Sequence, residues 1–149
     1  MRVTFDANVL VYAADWRSDD RHVQAIELLK RAGRADCVLT MQALGEFLNV
    51  ALRKKGVGLR EAISFVEDWR MVFQVHAASN ACLSHALDVV ERDGLPFWDA
   101  MLWAAAREAG CRYIFTEDFQ DGRRLDTVTF INPYSPKNAA LVDTVLPRD

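Results

Sequence analysis

Short runs of β-branched and aromatic residues alternate along this chain with longer stretches whose apolar positions recur at helical spacing, and few architectures accept that order. Val3-Thr4-Phe5 and Val9-Leu10-Val11-Tyr12 stand on either side of Asp6-Ala7-Asn8, which predicts a short buried strand ending in an Asx-type turn. From Asp20 to Ala32, Val23, Ile26, Leu28 and Leu29 give a helical pattern closed by Gly33. Cys37 to Thr40 predicts a second strand that runs into a helix from Met41 to Lys54, stopping at Gly56. Leu59, Ala62, Ile63, Val66 and Trp69 predict a helix to Arg70, followed by a strand from Val72 to Val75. Two more helices are expected, Ser79 to Arg92 before Asp93-Gly94, and Phe97 to Ala109 between Pro96 and Gly110. Tyr113 to Thr116 and Thr127 to Ile131 complete the strands, with a turn-rich segment from Glu117 to Asp126 between them.

Helices placed between short buried strands imply a mostly parallel central sheet covered on both faces, a three-layer α/β/α sandwich. A chain of 149 residues can bury one core without disulfide or metal staples. Asn132-Pro133-Tyr134-Ser135-Pro136 ends the regular pattern, which divides the chain into a domain over residues 1–133 and a tail over residues 134–149 to which no order is assigned. Cys37, Cys82 and Cys111 are too scattered for a zinc site and read as buried free thiols. No apolar stretch approaches the roughly 20 residues that span a bilayer. The N-terminus carries no apolar export segment, so a cytoplasmic location is expected. A formal net charge of -3 argues against coating nucleic acid by bulk positive charge but leaves room for a local basic rim.

In open parallel sheets ligands sit beyond the carboxyl ends of the strands, and the residues expected there are acidic. Asp6 closes the first strand, Glu46 lies in the helix after the second, Asp118 and Asp121 follow the Tyr113 strand, and Asp99 opens the helix before that strand. Each has an ordinary role available. Asp6, Asp118 and Asp121 suit turns, Asp99 suits the positive end of a helix, and Glu46 falls on a polar stripe with Gln42, Asn49 and Arg53. A bound cation accounts for all of them together, because it relieves the repulsion between packed carboxylates. Asp99 adds weight, since its neighbours Phe97, Trp98, Met101, Leu102 and Trp103 are bulky and apolar and a carboxylate among them needs a partner. Oxygen donors select hard cations such as Mg²⁺ or Mn²⁺, whose natural chemistry is phosphodiester hydrolysis. His22, His76 and His85 are isolated and expected to be structural or solvent-facing.

Four stretches, taken in order, closely resemble the PIN-domain family and within it the VapC toxins of type II toxin-antitoxin systems. They are Val3 to Ala13, Gln42 to Phe47, Phe97 to Ala106, and Thr116 to Gly122, and the resemblance covers Val3 to Pro133. It implies a parallel α/β/α sandwich and a Mg²⁺- or Mn²⁺-dependent endoribonuclease. On the matching positions it implies Asp6, Asp99 and Asp118 as metal ligands, Glu46 completing the acidic pocket, and Asn8 and Thr116 orienting carboxylates or water. Asp121 lies in the same final stretch as Asp118, and the sequence does not choose between them as the fourth acid. Transfer or ribosomal RNA as substrate, a VapB-like antitoxin as partner and a homodimer are implied in the same way.

Arg53-Lys54-Lys55 and Arg123-Arg124 are candidates for RNA phosphate contacts, although cations at a helix end also favour its negative pole. Two rival functions stand beside the nuclease. A phosphatase resembling the haloacid-dehalogenase family would also begin with an Asp after the first strand, but it would want a second Asp where Asn8 stands. A catalytically silent module would keep the fold and use the pocket or the helices to bind a protein.

Overall fold

The computed structural model describes residues 1–53 and 57–149. β1 (Val3–Phe5) leads through Asp6 into α1 (Ala7–Ala14), and a single 3-10 turn separates α1 from α2 (Asp20–Ala32). There follow β2 (Val38–Thr40), α3 (Met41–Arg53), α4 (Leu59–Val72), β3 (Gln74–His76), α5 (Asn80–Asp93) and α6 (Phe97–Glu108). The chain ends through β4 (Tyr113–Phe115), β5 (Arg124–Leu125), β6 (Val128–Ile131) and α7 (Ala139–Val145). None of the described helices is long and apolar enough to cross a membrane.

β1, β4, β6 and β5 lie side by side in that order, β2 pairs with β3, and a parallel bridge between Val3 and Cys37 sets β2 against β1. All pairings are parallel except that of β5 with β6 at the edge. Alternate residues of these short strands go to opposite faces. Val3, Phe5, Leu39, Phe115 and Ile131 join the core formed with α1, α2, α3, α4 and α7. Val38, Ile114, Val128 and Phe130 join the core formed with α5 and α6. Both faces of the sheet are therefore covered, as the alternating pattern predicts.

At three places the structure goes beyond the sequence pattern or corrects it. The run Val9 to Tyr12, β-branched and aromatic by composition, is helical, because Asp6 caps a helix that begins at Ala7, and α1 is buried on nearly every side. A helix enclosed in this way keeps β-branched residues that its local propensity would not favour. Val72 belongs to α4 and faces solvent, while Trp69 and Phe73, four residues apart, turn into the core and carry the helix past Arg70. The residues after Pro133 are also ordered. Val142, Val145 and Leu146 are buried in the first core, and the buried Arg31 of α2 donates to the Leu146 and Val142 carbonyls at the end of α7. Within the turn-rich segment Arg124–Leu125 forms the antiparallel edge strand. Of the four tryptophans, Trp69 and Trp103 are core and Trp16 and Trp98 are exposed.

Candidate acidic site

β1 and β4 are parallel neighbours, so the residues that follow them emerge together at one edge of the sheet. Asp6 leaves β1 in extended conformation and caps α1, its Oδ1 accepting the Asn8 backbone N–H at 3.4 Å. Thr116 leaves β4 buried, and its hydroxyl works in two directions. It donates to Asp6 Oδ2 at 2.8 Å and accepts the Asp118 backbone N–H at 3.1 Å. The Asn8 side-chain amide donates to Asp118 Oδ2. Asp6, Asn8, Thr116 and Asp118 thus form one hydrogen-bonded set across two strands.

Glu46 and Asp99 approach that set from α3 and α6. The Thr40 side chain at the end of β2 accepts the Ala43 N–H at 3.1 Å and starts α3, which brings Glu46 round on its second turn. The Gln42 amide donates to Glu46 Oε1 at 2.8 Å and to the Trp98 carbonyl at 3.1 Å, tying α3 to the start of α6 one residue before Asp99.

The four acids act on one another electrostatically. Burial raises the Glu46 carboxyl above its ordinary range, the Gln42 hydrogen bond opposes this, and the Asp6 and Asp99 charges reinforce it. Burial likewise raises Asp99, with Asp6 and Asp118 adding to it. Asp118 is raised by burial, then by Asp6 and by its neighbour Glu117. Asp6 is the charge common to all three.

Among the described residues no three His, Cys, Asp or Glu side chains close round one point as a finished metal cage. The donor set nonetheless fits a hydrated hard cation, which keeps several waters and takes only one or two carboxylates from the protein. All the donors are oxygens, and three of the four acids are raised by burial first and by neighbouring negative charge second, a repulsion that a cation would relieve.

A stability prediction follows. Raised carboxyls favour the fold when protonated, so their contribution is intact below the ordinary values of 3.8 for Asp and 4.5 for Glu and is lost as pH rises through the raised values. Asp99→Asn is therefore expected to melt above the parent protein at neutral pH without divalent cation. The gap should close as pH falls to the ordinary carboxylate range. Thermal melts with a chelator across that pH span measure it, and a parent protein as stable as the variant at neutral pH would contradict the cost of burying this carboxylate among its acidic neighbours.

Asp121 lies apart from the acid group. Its Oδ1 accepts from the Asn132 N–H at 2.9 Å and from the Asn138 amide at 3.0 Å, and Lys137 lies 3.1 Å from Oδ2. Burial alone would raise it, but the Asn132 N–H, Lys137 and Asn138 together hold it below its ordinary value. It joins the β4–β6 loop to the segment before α7, and Asp118 stands with Asp6.

The basic candidates divide. Arg53 lines a cleft of about 670 Å³ that includes Glu46 of the acid group and that Gln42, Asn49 and Trp98 also line. Lys54 and Lys55 fall outside the described residues. Arg123 bonds Gln120 at 3.2 Å, and Arg124 donates to the Asp126 carbonyl at 2.8 Å on the edge strand. His22 and His76 bond the Tyr12 carbonyl and Glu108, outside the acid group.

Sequence reasoning misses a second layer. The Tyr12 hydroxyl donates to Glu117, Arg21 pairs with the same carboxylate at 3.1 Å, and the Arg21 guanidinium stacks 4.2 Å over the Tyr134 ring. This group fixes the residue between Thr116 and Asp118. Only its adjacency to Asp118 is a signal in the sequence, because the partners come from α1, α2 and the segment after β6.

No curated protein sequence matches this chain. Solved structures do match in fold. VapC20 from Mycobacterium tuberculosis, a toxin that cleaves the sarcin-ricin loop, shares 20% identity over 78% of this chain and 89% of its own, with a TM-score of 0.64. VapBC2 from Rickettsia felis, bound to a DNA fragment from its promoter, shares 14% identity over 87% and 97%, with a TM-score of 0.65. VapBC-1 from nontypeable Haemophilus influenzae shares 13% over 87% and 96%, with a TM-score of 0.62. The PIN domain model matches residues 3–126. That match runs from the first residue of β1 to just past β5, taking in Asp6, Glu46, Asp99 and Asp118, and the chain belongs to the PIN-domain family.

Proposed function

We propose that this protein is a Mg²⁺- or Mn²⁺-dependent endoribonuclease, the toxin of a VapBC-type pair. The observation that supports the reading is the convergence of Asp6, Glu46, Asp99 and Asp118, tied together through Asn8, Thr116 and Gln42, with three of them raised by burial and then by neighbouring negative charge. A cluster that repels itself in this way is suited to a cation. When bound, a hard divalent cation supplies Lewis acidity at a phosphate and generates a water nucleophile at neutral pH.

The residues of the chain have separable tasks in this scheme. Asp6, Asp99 and Asp118 would hold the cation, directly or through its waters. Thr116 fixes the Asp6 carboxylate and the Asp118 backbone with one hydroxyl, and Asn8 fixes the Asp118 carboxylate, so neither acid is free to turn away. Glu46, raised by burial and steadied by Gln42, would accept a proton from a water at the site. Arg53 offers positive charge for a flanking RNA phosphate, which positions a strand without specifying its sequence. For the phosphatase alternative the position that would need a second Asp is Asn8, whose amide is already committed to Asp118.

Structural relatives include toxin-antitoxin complexes, which supports a VapB-like antitoxin as the partner. The test uses purified protein freed of partner and incubated with total cellular RNA. Cleavage is expected with Mg²⁺ or Mn²⁺, abolished by chelator and restored by adding the cation back. Mapping the new RNA ends would also name the target class. Intact RNA under both cations would overturn the reading.

A further inference from the structure

Trp98 is the more exposed of two aromatics, with Phe97, that stand just before Asp99 outside the core. Its side chain is 63% exposed, although it stands one residue before Asp99 and packs edge-on against Phe97, with ring centroids 5.0 Å apart. The next turns of α6 send Leu102 and Trp103 into the core, so helical packing does not require an aromatic at this position.

Its placement relative to the acids is fixed. One side-chain amide, that of Gln42, donates both to the Trp98 carbonyl and to Glu46. The start of α6 is therefore locked in register with the carboxylates. Trp98 also forms one wall of the cleft that opens beside them, with Val50, Met101 and Ala105 as apolar lining and Asn49 and Arg53 among its polar residues. A volume of about 670 Å³ falls in the range of small-molecule pockets, roughly 300–1,000 Å³. It has room for a nucleobase.

We infer that Trp98 is a stacking platform for an unpaired nucleobase of the RNA, next to the phosphate held at the acids. The inference rests on the ribonuclease reading and names the residue that grips its substrate. The chemistry of the cleft favours a base over other occupants. An indole face stacks on any base, an Asn side chain can pair with a base edge, and an Arg in the same cleft suits a flanking phosphate. Single-stranded RNA presents its bases in this way, whereas a paired duplex hides them. Trp98 would thus bias the enzyme toward loops and unpaired segments.

The test measures binding of a short unstructured RNA, by fluorescence anisotropy with Mg²⁺ present, to Trp98 variants built on Asp6→Asn protein. A backbone-matched abasic strand is run beside it. Trp98→Ala and Trp98→Leu are expected to weaken RNA binding about 10- to 100-fold, and Trp98→Phe by only a fewfold. The abasic strand should bind the Asp6→Asn protein about as weakly as RNA binds Trp98→Ala. Because Trp98 is exposed, these variants should melt with their parent. Equal RNA binding by all variants, no measurable binding, or undiminished binding by Trp98→Leu would overturn the inference. So would unchanged RNA binding accompanied by lost association with a co-expressed protein partner, which would assign this face to that partner. Cleavage by protein with Asp6 intact separates the two readings. Trp98-dependent, base-dependent binding without any cleavage would overturn the nuclease alone, and cleavage indifferent to Trp98→Ala would overturn the platform alone.

Discussion

Asp6→Asn should lower divalent-cation-dependent RNA cleavage by about 100- to 1,000-fold, the equivalent of about 3–4 kcal/mol of transition-state stabilisation. The amide keeps the size of the carboxylate and can still face Thr116, so the loop geometry is preserved. It removes the charge felt by Glu46, Asp99 and Asp118 alike. Asp99→Asn should cost a similar factor, and the double variant should be no slower than roughly the worse single one, because both changes disable one cation site. Single-turnover cleavage of a mapped RNA, with circular dichroism to check the fold, measures this. Near-full activity in both single variants would remove the acid cluster from the mechanism. Multiplicative losses in the double variant would mean that the two acids serve separate steps.

Arg31→Leu should destabilise the protein by about 2–4 kcal/mol, although Arg31 lies in none of the functional motifs. Its side chain is 4% exposed. The guanidinium donates to the Leu146 carbonyl at 2.7 Å and the Val142 carbonyl at 3.3 Å, and pairs with Asp143 at 2.7 Å. Leucine would fill much of the space but leave the carbonyls at the end of α7 without donors in a buried place. For a domain of this size the cost corresponds to a fall of about 5–15 °C in Tm. Hydrogen exchange should show protection lost first across residues 139–149, before the sheet opens. A variant with the parent's Tm and a protected C-terminus would mean that α7 is held by apolar burial of Val142, Val145 and Leu146 alone.

The two predictions mark different depths of legibility. The helices over Asp20–Ala32, Met41–Arg53 and Phe97–Glu108 announce themselves by apolar spacing and by Gly or Pro at their ends, because those signals act within a few residues. β1, β2, β4 and β6 are also visible as β-branched or aromatic runs, whereas β5 is missed and β3, Gln74–His76, is only half caught, because the apolar run that points to it begins inside α4. α1 is not, since Val9 to Tyr12 has the local composition of a strand and becomes helical only because Asp6 caps it and the core encloses it. α7 is hidden for a related reason. Its seven residues are too few to hold a helix by themselves, and the groups that fix it, Arg31 and Asp121, lie far away in the sequence.

The acids follow the same division. Sequence alone determined which carboxylates close strands or open helices, and so which residues could meet at one edge of a parallel sheet. Only the tertiary structure sets Asp118, and not Asp121, beside Asp6. The two are three residues apart in one loop, yet Thr116 and Asn8 draw the first to Asp6 while Asn132, Lys137 and Asn138 draw the second to the C-terminal segment. It also decided that Trp98 stands free beside the acids while Trp103, five residues on, is core. Local pattern records backbone preference and burial within one element. Which side chains share a hydrogen bond across elements depends on how the strands are ordered in the sheet, and that order is set by packing between residues distant in the chain.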